Sequence, residues 1–228
     1  MNAHRLLKHA FLRTLFCLPH NNIYEFHHVS ADPACPQSPR RLATDSFYRF
    51  VDAHGPYLPL RQLLAQKALN GSAAITFDDG LEDVYTLAYP YLKERGIPFT
   101  VFVLSEKLGQ AGYLTVAQLR ELAADSLVVI GSHGTDHTVL AEASVNKQRH
   151  ELFASRAQLE QLTGLPCAYF AYPLGAYNKT TLSLIRQAGY ERAFAVKGRP
   201  LLAWNAKESY TIPRLSIADE TLAFYDRS

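Results

Sequence analysis

Short apolar runs separated by longer amphipathic ones set the rhythm of this chain. Ala73 to Phe77, Phe99 to Leu104, Leu127 to Gly131, Ala168 to Tyr172 and Arg192 to Val196 are brief, mostly apolar stretches that predict buried strands. Ile23 to Val29, alternating and rich in aromatics, predicts a first strand, and Thr211 to Ile217 a last one. Between them lie helical patterns. Thr44 to His54 carries a Thr44 cap with Phe47 and Phe50 on its inner face, and Leu58 to Leu69 leads to an Asn70-Gly71 stop. Asp83 to Arg95 is interrupted at Pro90 and stopped by Gly96, while Thr115 to Ala124 opens on a Thr115/Gln118 capping box. The longest helix spans Ser144 to Thr163, with Val145, Leu152, Leu159 and Leu162 near helical spacing and Gly164 as its stop. Another covers Lys179 to Ala188, from an Asn178 cap to Gly189. Strands alternating with helices imply an α/β fold whose mostly parallel sheet is covered on both faces.

The polar residues that interrupt this pattern gather at strand ends. Ile75-Thr76-Phe77-Asp78-Asp79-Gly80 runs from an apolar strand into two adjacent carboxylates and a glycine. Adjacent negative charges raise each other's cost of ionisation unless a cation offsets them, so a metal is the economical explanation. An Asp-Gly turn with a helix cap accounts equally well for the hexapeptide alone. A second apolar strand ends in Gly131-Ser132-His133-Gly134-Thr135-Asp136-His137, and its two histidines are spaced so that both can reach one ion from a turn. Carboxylates and imidazoles at the C-terminal ends of parallel strands lie where parallel barrels carry their chemistry.

Composition narrows the picture further. With 228 residues, 48% of them hydrophobic, the chain can bury one large core, and no composition break asks for a second. A formal charge of +2 with scattered basic residues gives no nucleic-acid signature. Cys17, Cys35 and Cys167 form neither a disulfide framework nor a thiolate metal site by their spacing. Residues 1–21 carry Arg5, Lys8 and Arg13 without an acid, yet Arg13 cuts the apolar run and no small-x-small cleavage site follows. The expectation is an amphipathic N-terminal segment on a cytoplasmic protein, with a signal anchor or peripheral membrane contact as the alternative. Ala31 to Arg41, with three prolines, is expected to be a loop over the site.

Thr76-Phe77-Asp78-Asp79-Gly80, Ser132-His133-Gly134-Thr135-Asp136-His137 and Phe170-Ala171-Tyr172-Pro173-Leu174-Gly175, in this order, resemble the first three motifs of the polysaccharide deacetylases of the NodB-homology, carbohydrate esterase family 4 type. The resemblance covers residues 22 to 217 and places a catalytic domain over 22–228. It implies a distorted (β/α)7 barrel that removes N-acetyl groups from an amino sugar. By the same resemblance Asp79, His133 and His137 would hold a divalent metal, Zn2+ first, with Co2+, Ni2+ or Fe2+ as alternatives. Asp78 would be the general base, and the Leu174 backbone N–H would steady the oxyanion.

Two departures are informative. Many members carry an arginine at the position of Ala171 and a tyrosine at that of Leu174. The Phe-Ala-Tyr-Pro form instead resembles the exopolysaccharide branch, which includes poly-N-acetylglucosamine deacetylases. That branch has an early Tyr-His-x-Val segment supplying the general acid, and Phe26-His27-His28-Val29 matches it with phenylalanine first, making His27 the expected acid. Arg214 either replaces the missing arginine beside Asp78 or is a salt-bridged strand residue. His28 faces away from His27 in a regular strand, His20 and His54 read as surface residues, and Asp136 as a turn residue. Trp204 either stacks on a sugar or anchors a loop. Hydrolysis of another amide, such as a cyclic ureide, and silent carbohydrate binding are the competing functions, and the sequence is uninformative about oligomeric state.

Overall fold

A computed structural model describes residues 20–30, 40–202, 208–219 and 221–222. Most of the N-terminal segment, Cys17, Cys35, most of the proline-rich loop and Trp204 lie outside the described residues.

Seven parallel strands close into a barrel. In order around it they are β1 (His20–Phe26), β4 (Ala73–Phe77), β5 (Phe99–Val103), β6 (Val128–Ser132), β7 (Tyr169–Ala171), β8 (Arg192–Val196) and β10 (Ile212–Ser216), which returns to β1. Short β2 (His28–Ser30) and β3 (Arg41–Ala43) pair with each other above the barrel, and β9 (Leu201–Leu202) runs antiparallel to the start of β1. The helices are α1 (Thr44–Ala53), α2 (Leu60–Ala65), α3 (Tyr89–Glu94), α4 (Val116–Ala124), α5 (Val145–Thr163) and α6 (Lys179–Gln187).

Strand alternation divides the core into two layers. Tyr24, Ile75, Phe77, Val101, Val103, Phe170 and Ala193 point outward into the layer beneath the helices. Ile23, Ala74, Phe102, Tyr169, Phe194 and Ile212 form a separate interior cluster, joined by Leu60 and Leu63 of α2 at the barrel's N-terminal end. Gly131 makes room for this filling, since a Cβ there would stand 2.6 Å from the Phe102 ring. Continued two residues at a time along the strands, the inward positions turn polar: Ile23 leads to Glu25 and His27, Ala74 to Thr76 and Asp78, Ile212 to Arg214. The C-terminal end of the barrel is thus charged while its floor is dry.

Several expected elements differ in detail. The first strand breaks at His27 rather than running from Ile23 to Val29. Thr44 begins α1 but does not cap it; Ala43 is the N-cap and makes no side-chain bond. The helix expected over Leu58 to Leu69 is confined to Leu60–Ala65, because Gln66 is extended. Pro90 does not cut the helix expected there: a π-helical turn, Val84–Ala88, precedes α3 and leaves Pro90 in the first turn, where its missing N–H costs little. Val145 is 53% exposed, although Leu152 and Leu159 of the same helix are buried as expected. The Thr115/Gln118 capping box and the Asn178 cap form as read from the sequence. No helix among the described residues is long and apolar enough to cross a membrane.

Candidate metal centre

Asp78 and Asp79 leave β4 in different backbone conformations, which brings both carboxylates to one side. The Asp78 N–H continues the ladder by donating to Phe26 O at 2.9 Å, whereas Asp79 turns to a φ of +69°. Positive φ is uncommon outside glycine and is held here by the surrounding structure. Gly80, at φ +71°, follows closely on Val103, where a Cβ would lie 3.1 Å from a side-chain methyl.

From β6, His133 and His137 approach the same carboxylate. Asp79 Oδ1 lies 3.5 Å from His133 Nε2 and 3.7 Å from His137 Nε2, and one ligand atom from each of the three residues falls within 4.8 Å of the others. His133 Nδ1 is 2.8 Å from the carbonyl of Ala171, so Nδ1 carries the hydrogen and Nε2 presents its lone pair to Asp79. Burial lowers the pKa of both histidines, keeping them neutral and competent as ligands. Burial also raises that of Asp79, the nearby His133 opposes this, and Asp78 adds to it. Asp79 Oδ1 is a buried acceptor with no hydrogen-bond partner among the described residues. An orphaned carboxylate oxygen facing two imidazole nitrogens is the arrangement a cation satisfies, and the one-oxygen, two-nitrogen donor set fits a zinc-like divalent ion.

Asp78 is held differently. Arg214 Nη1 donates to its Oδ1 at 2.7 Å and Nη2 to its Oδ2 at 2.6 Å, while Nη1 also reaches Thr76 Oγ1 at 3.1 Å. Both partners are buried. Burial alone would raise the carboxyl's pKa, but the guanidinium outweighs it and holds Asp78 well below the usual range. Arg214 thus stands beside Asp78 and is at the same time a salt-bridged residue of β10.

His27 lies in a second buried group with Glu25 and Asp78. Glu25 Oε1 is 3.3 Å from His27 Nε2, and Arg40 Nη1 donates to the same nitrogen at 2.9 Å. Because guanidinium only donates, Nε2 is unprotonated in this arrangement. Burial lowers His27 to about 3 against the pull of Asp78, and burial raises Glu25 to about 8 against that of Arg214. Glu25 and Arg40 were not anticipated as site residues. The signal for Glu25 was a carboxylate inside an otherwise apolar strand, two positions before His27 and therefore on its face.

The remaining candidates are placed as follows. Leu174 sits in the turn Pro173–Gly175 after β7, 53% exposed and at a φ of +54°. Gly175 N–H donates to Tyr172 O and Ala176 N–H to Pro173 O, but no described backbone carbonyl accepts from the Leu174 N–H. His28 points away from His27 as expected and meets Asp83 at 2.8 Å. Asp136 is a turn residue accepting from Thr138 N and Oγ1 at 3.0 and 2.6 Å. His20 opens β1, and His54 stacks on Phe50 with ring centroids 4.0 Å apart, so neither joins the site.

Comparison with known proteins follows the same lines. A sequence profile of the polysaccharide deacetylase family matches residues 65–193. YxkH of Bacillus subtilis (strain 168), whose name assigns it to the polysaccharide deacetylases, is 31% identical over 144 residues, 63% of this chain and 50% of that protein. The alignment thus spans half the length of that relative. The poly-beta-1,6-N-acetyl-D-glucosamine N-deacetylase of Staphylococcus aureus is 27% identical over 96% of this chain and 78% of its own. IcaB from Ammonifex degensii shares the fold with a TM-score of 0.80 at 23% identity, covering 92% of this chain and 96% of that one. The Streptococcus pyogenes deacetylase PplD, solved with acetate, gives 0.75 at 24% identity over 88% and 92%. With its closed seven-stranded parallel barrel and a family profile matched over more than half of its length, the chain belongs to the polysaccharide deacetylase family.

Proposed function

We propose that the protein hydrolyses the acetamide of an N-acetylated amino sugar in a polysaccharide or its precursor, releasing acetate. The observation that carries this reading is the orphaned Asp79 oxygen between two imidazoles, beside an Asp78 clamped by Arg214. Asp79, His133 and His137 would hold a divalent cation, Zn2+ by preference. Bound there, the cation supplies a Lewis acid that acidifies water and polarises the acetamide carbonyl.

The chain's own groups do the rest. Asp78, kept ionised and fixed in orientation by Arg214, accepts the proton of the attacking water. The Leu174 N–H, which no described backbone carbonyl accepts, donates to the oxygen that becomes negative in the tetrahedral intermediate. A backbone donor is indifferent to the leucine side chain. Near neutral pH Glu25 is protonated and His27 neutral, so the pair holds the proton that the departing amine needs, and His27 delivers it. Delivery from Nε2 requires Arg40 to leave that nitrogen.

Acetate release from N-acetylglucosamine oligomers, measured beside a cyclic ureide as competitor substrate, tests the proposal. Acetate release that stops on chelation and returns with Zn2+ supports it. Ureide hydrolysis without acetate release assigns another amide, and binding of the oligomer without turnover assigns a silent homologue.

A further inference from the structure

The loop from His133 to His137 has an irregular backbone, with Gly134 and His137 both at positive φ, +92° and +72°. The N–H groups of Ser105 and Glu106 donate to its Gly134 and Thr135 carbonyls at 3.1 Å, and its own N–H groups are held by side chains that include those of α5. Glu151, fully buried, accepts from Thr135 N–H through Oε2 at 2.6 Å and from Thr135 Oγ1 through Oε1 at 2.6 Å; the Asp136 N–H lies 3.4 Å from Oε2. One turn along the helix, Ser155 Oγ accepts from Ser132 Oγ at 2.8 Å, and Ser132 Oγ in turn accepts from the Gly134 N–H at 3.1 Å. One turn back, Lys147 Nζ lies 2.7 Å from both Glu151 Oε1 and Asp136 Oδ2, offsetting the buried charge. Residues 147, 151 and 155 therefore form a polar stripe at the i, i+4 spacing of one helix face, applied to the loop that bears both imidazoles.

Gly134 is part of the same device. A Cβ at this position would stand 2.6 Å from Glu151 Oε2, so glycine both permits the left-handed backbone and lets the carboxylate approach. A buried carboxylate is costly unless its lone pairs are satisfied, and this one is satisfied by the loop's amide and hydroxyl together with Lys147 of its own helix.

We propose that Glu151 is the positioning residue of the cation site: its carboxylate pins the backbone of Thr135 and Asp136 so that His133 and His137 converge on Asp79. This rests on the assignment of Asp79, His133 and His137 as cation ligands. Glu151 touches neither cation nor substrate and acts through the loop, in the manner of residues that orient metal ligands.

The test measures Zn2+ affinity of the purified full chain by competition with a chromophoric chelator, together with the apo melting temperature. Glu151→Gln, which keeps the shape but presents an amide to the loop donors, is expected to weaken Zn2+ binding about tenfold or more. Glu151→Asp should recover part of that loss, and Thr135→Val, which removes only the hydroxyl bond, should cost less than Glu151→Gln. Leu159→Ala, a packing change on the same helix away from the loop, is the control and should lower the melting temperature with Zn2+ affinity unchanged. If Glu151→Gln lowers only the melting temperature, as Leu159→Ala does, the positioning role is refuted while the ligand assignment stands. Zn2+ binding by wild type that survives Asp79→Ala would refute the ligand assignment, and the role of Glu151 with it.

Discussion

Arg214 and Asp78, 136 positions apart in sequence, meet inside the barrel in two parallel hydrogen bonds of 2.7 and 2.6 Å. The guanidinium comes from β10 and the carboxylate from the end of β4, so the contact joins opposite flanks of β1, the strand that pairs with both. Arg214 further lies 5.2 Å from the Phe102 ring centroid, on the filled floor of the barrel. A fork that satisfies both carboxylate oxygens fixes direction as well as charge.

Removing the fork therefore acts on stability and turnover together. Arg214→Ala leaves a buried carboxylate without its partner, which costs about 3–5 kcal/mol, and turnover should fall ~100-fold or more with loss of the oriented base. Arg214→Lys keeps the charge but not the planar fork and should fall between. Urea denaturation midpoints and initial rates of acetate release check both effects.

Arg40 gives a prediction in pH. Burial sets the main shifts of Glu25 and His27, and the Arg40 guanidinium lowers both pKa values, so Arg40→Ala should raise that of the proton-holding pair. Since the acid must hold a proton to deliver it, activity is lost as pH rises past the pair's titration. The variant should retain activity to higher pH than wild type, and a kcat/KM profile whose basic limb stays in place would show that Arg40 does not govern this proton.

Leu174 separates backbone from side chain. At a φ of +54° a leucine carries strain of about 1–2 kcal/mol that glycine does not. Leu174→Gly keeps the N–H and should retain turnover within a few-fold with an unchanged or higher melting temperature. Leu174→Pro, which removes the N–H and forbids this φ, should abolish turnover. Steady-state kinetics of the two variants decide whether the amide is the donor.

Much of this was legible in the chain before any coordinates. Strand positions follow from apolar runs, and the grouping of Asp79, His133 and His137 from the resemblance of the motifs that end such runs to those of the polysaccharide deacetylases. Residues that act through chain-distant contacts were harder. Arg214 could be suspected but not assigned, because its bond to Asp78 depends on the barrel closing through β10 and β1. Glu151 was hidden in the helix pattern, since a buried polar stripe blurs the periodicity that marks an apolar face. Arg40 lies near the end of the proline-rich stretch Ala31 to Arg41, where no local pattern marks a site residue. The helix expected over Leu58 to Leu69 was overextended for a related reason: leucine spacing suggested two more turns, whereas only Leu60 and Leu63 enter the core.

The central claim is that one cation sits between Asp79, His133 and His137, with Asp78 beside it as base and not as ligand. Metal content by inductively coupled plasma mass spectrometry, with acetate release assayed on the same samples, tests it most directly. Wild type and Asp78→Asn should carry stoichiometric divalent cation, with turnover lost only in Asp78→Asn; Asp79→Ala and His133→Ala should lose cation and turnover together. Full cation content in Asp79→Ala, or retained turnover in Asp78→Asn, would contradict the account.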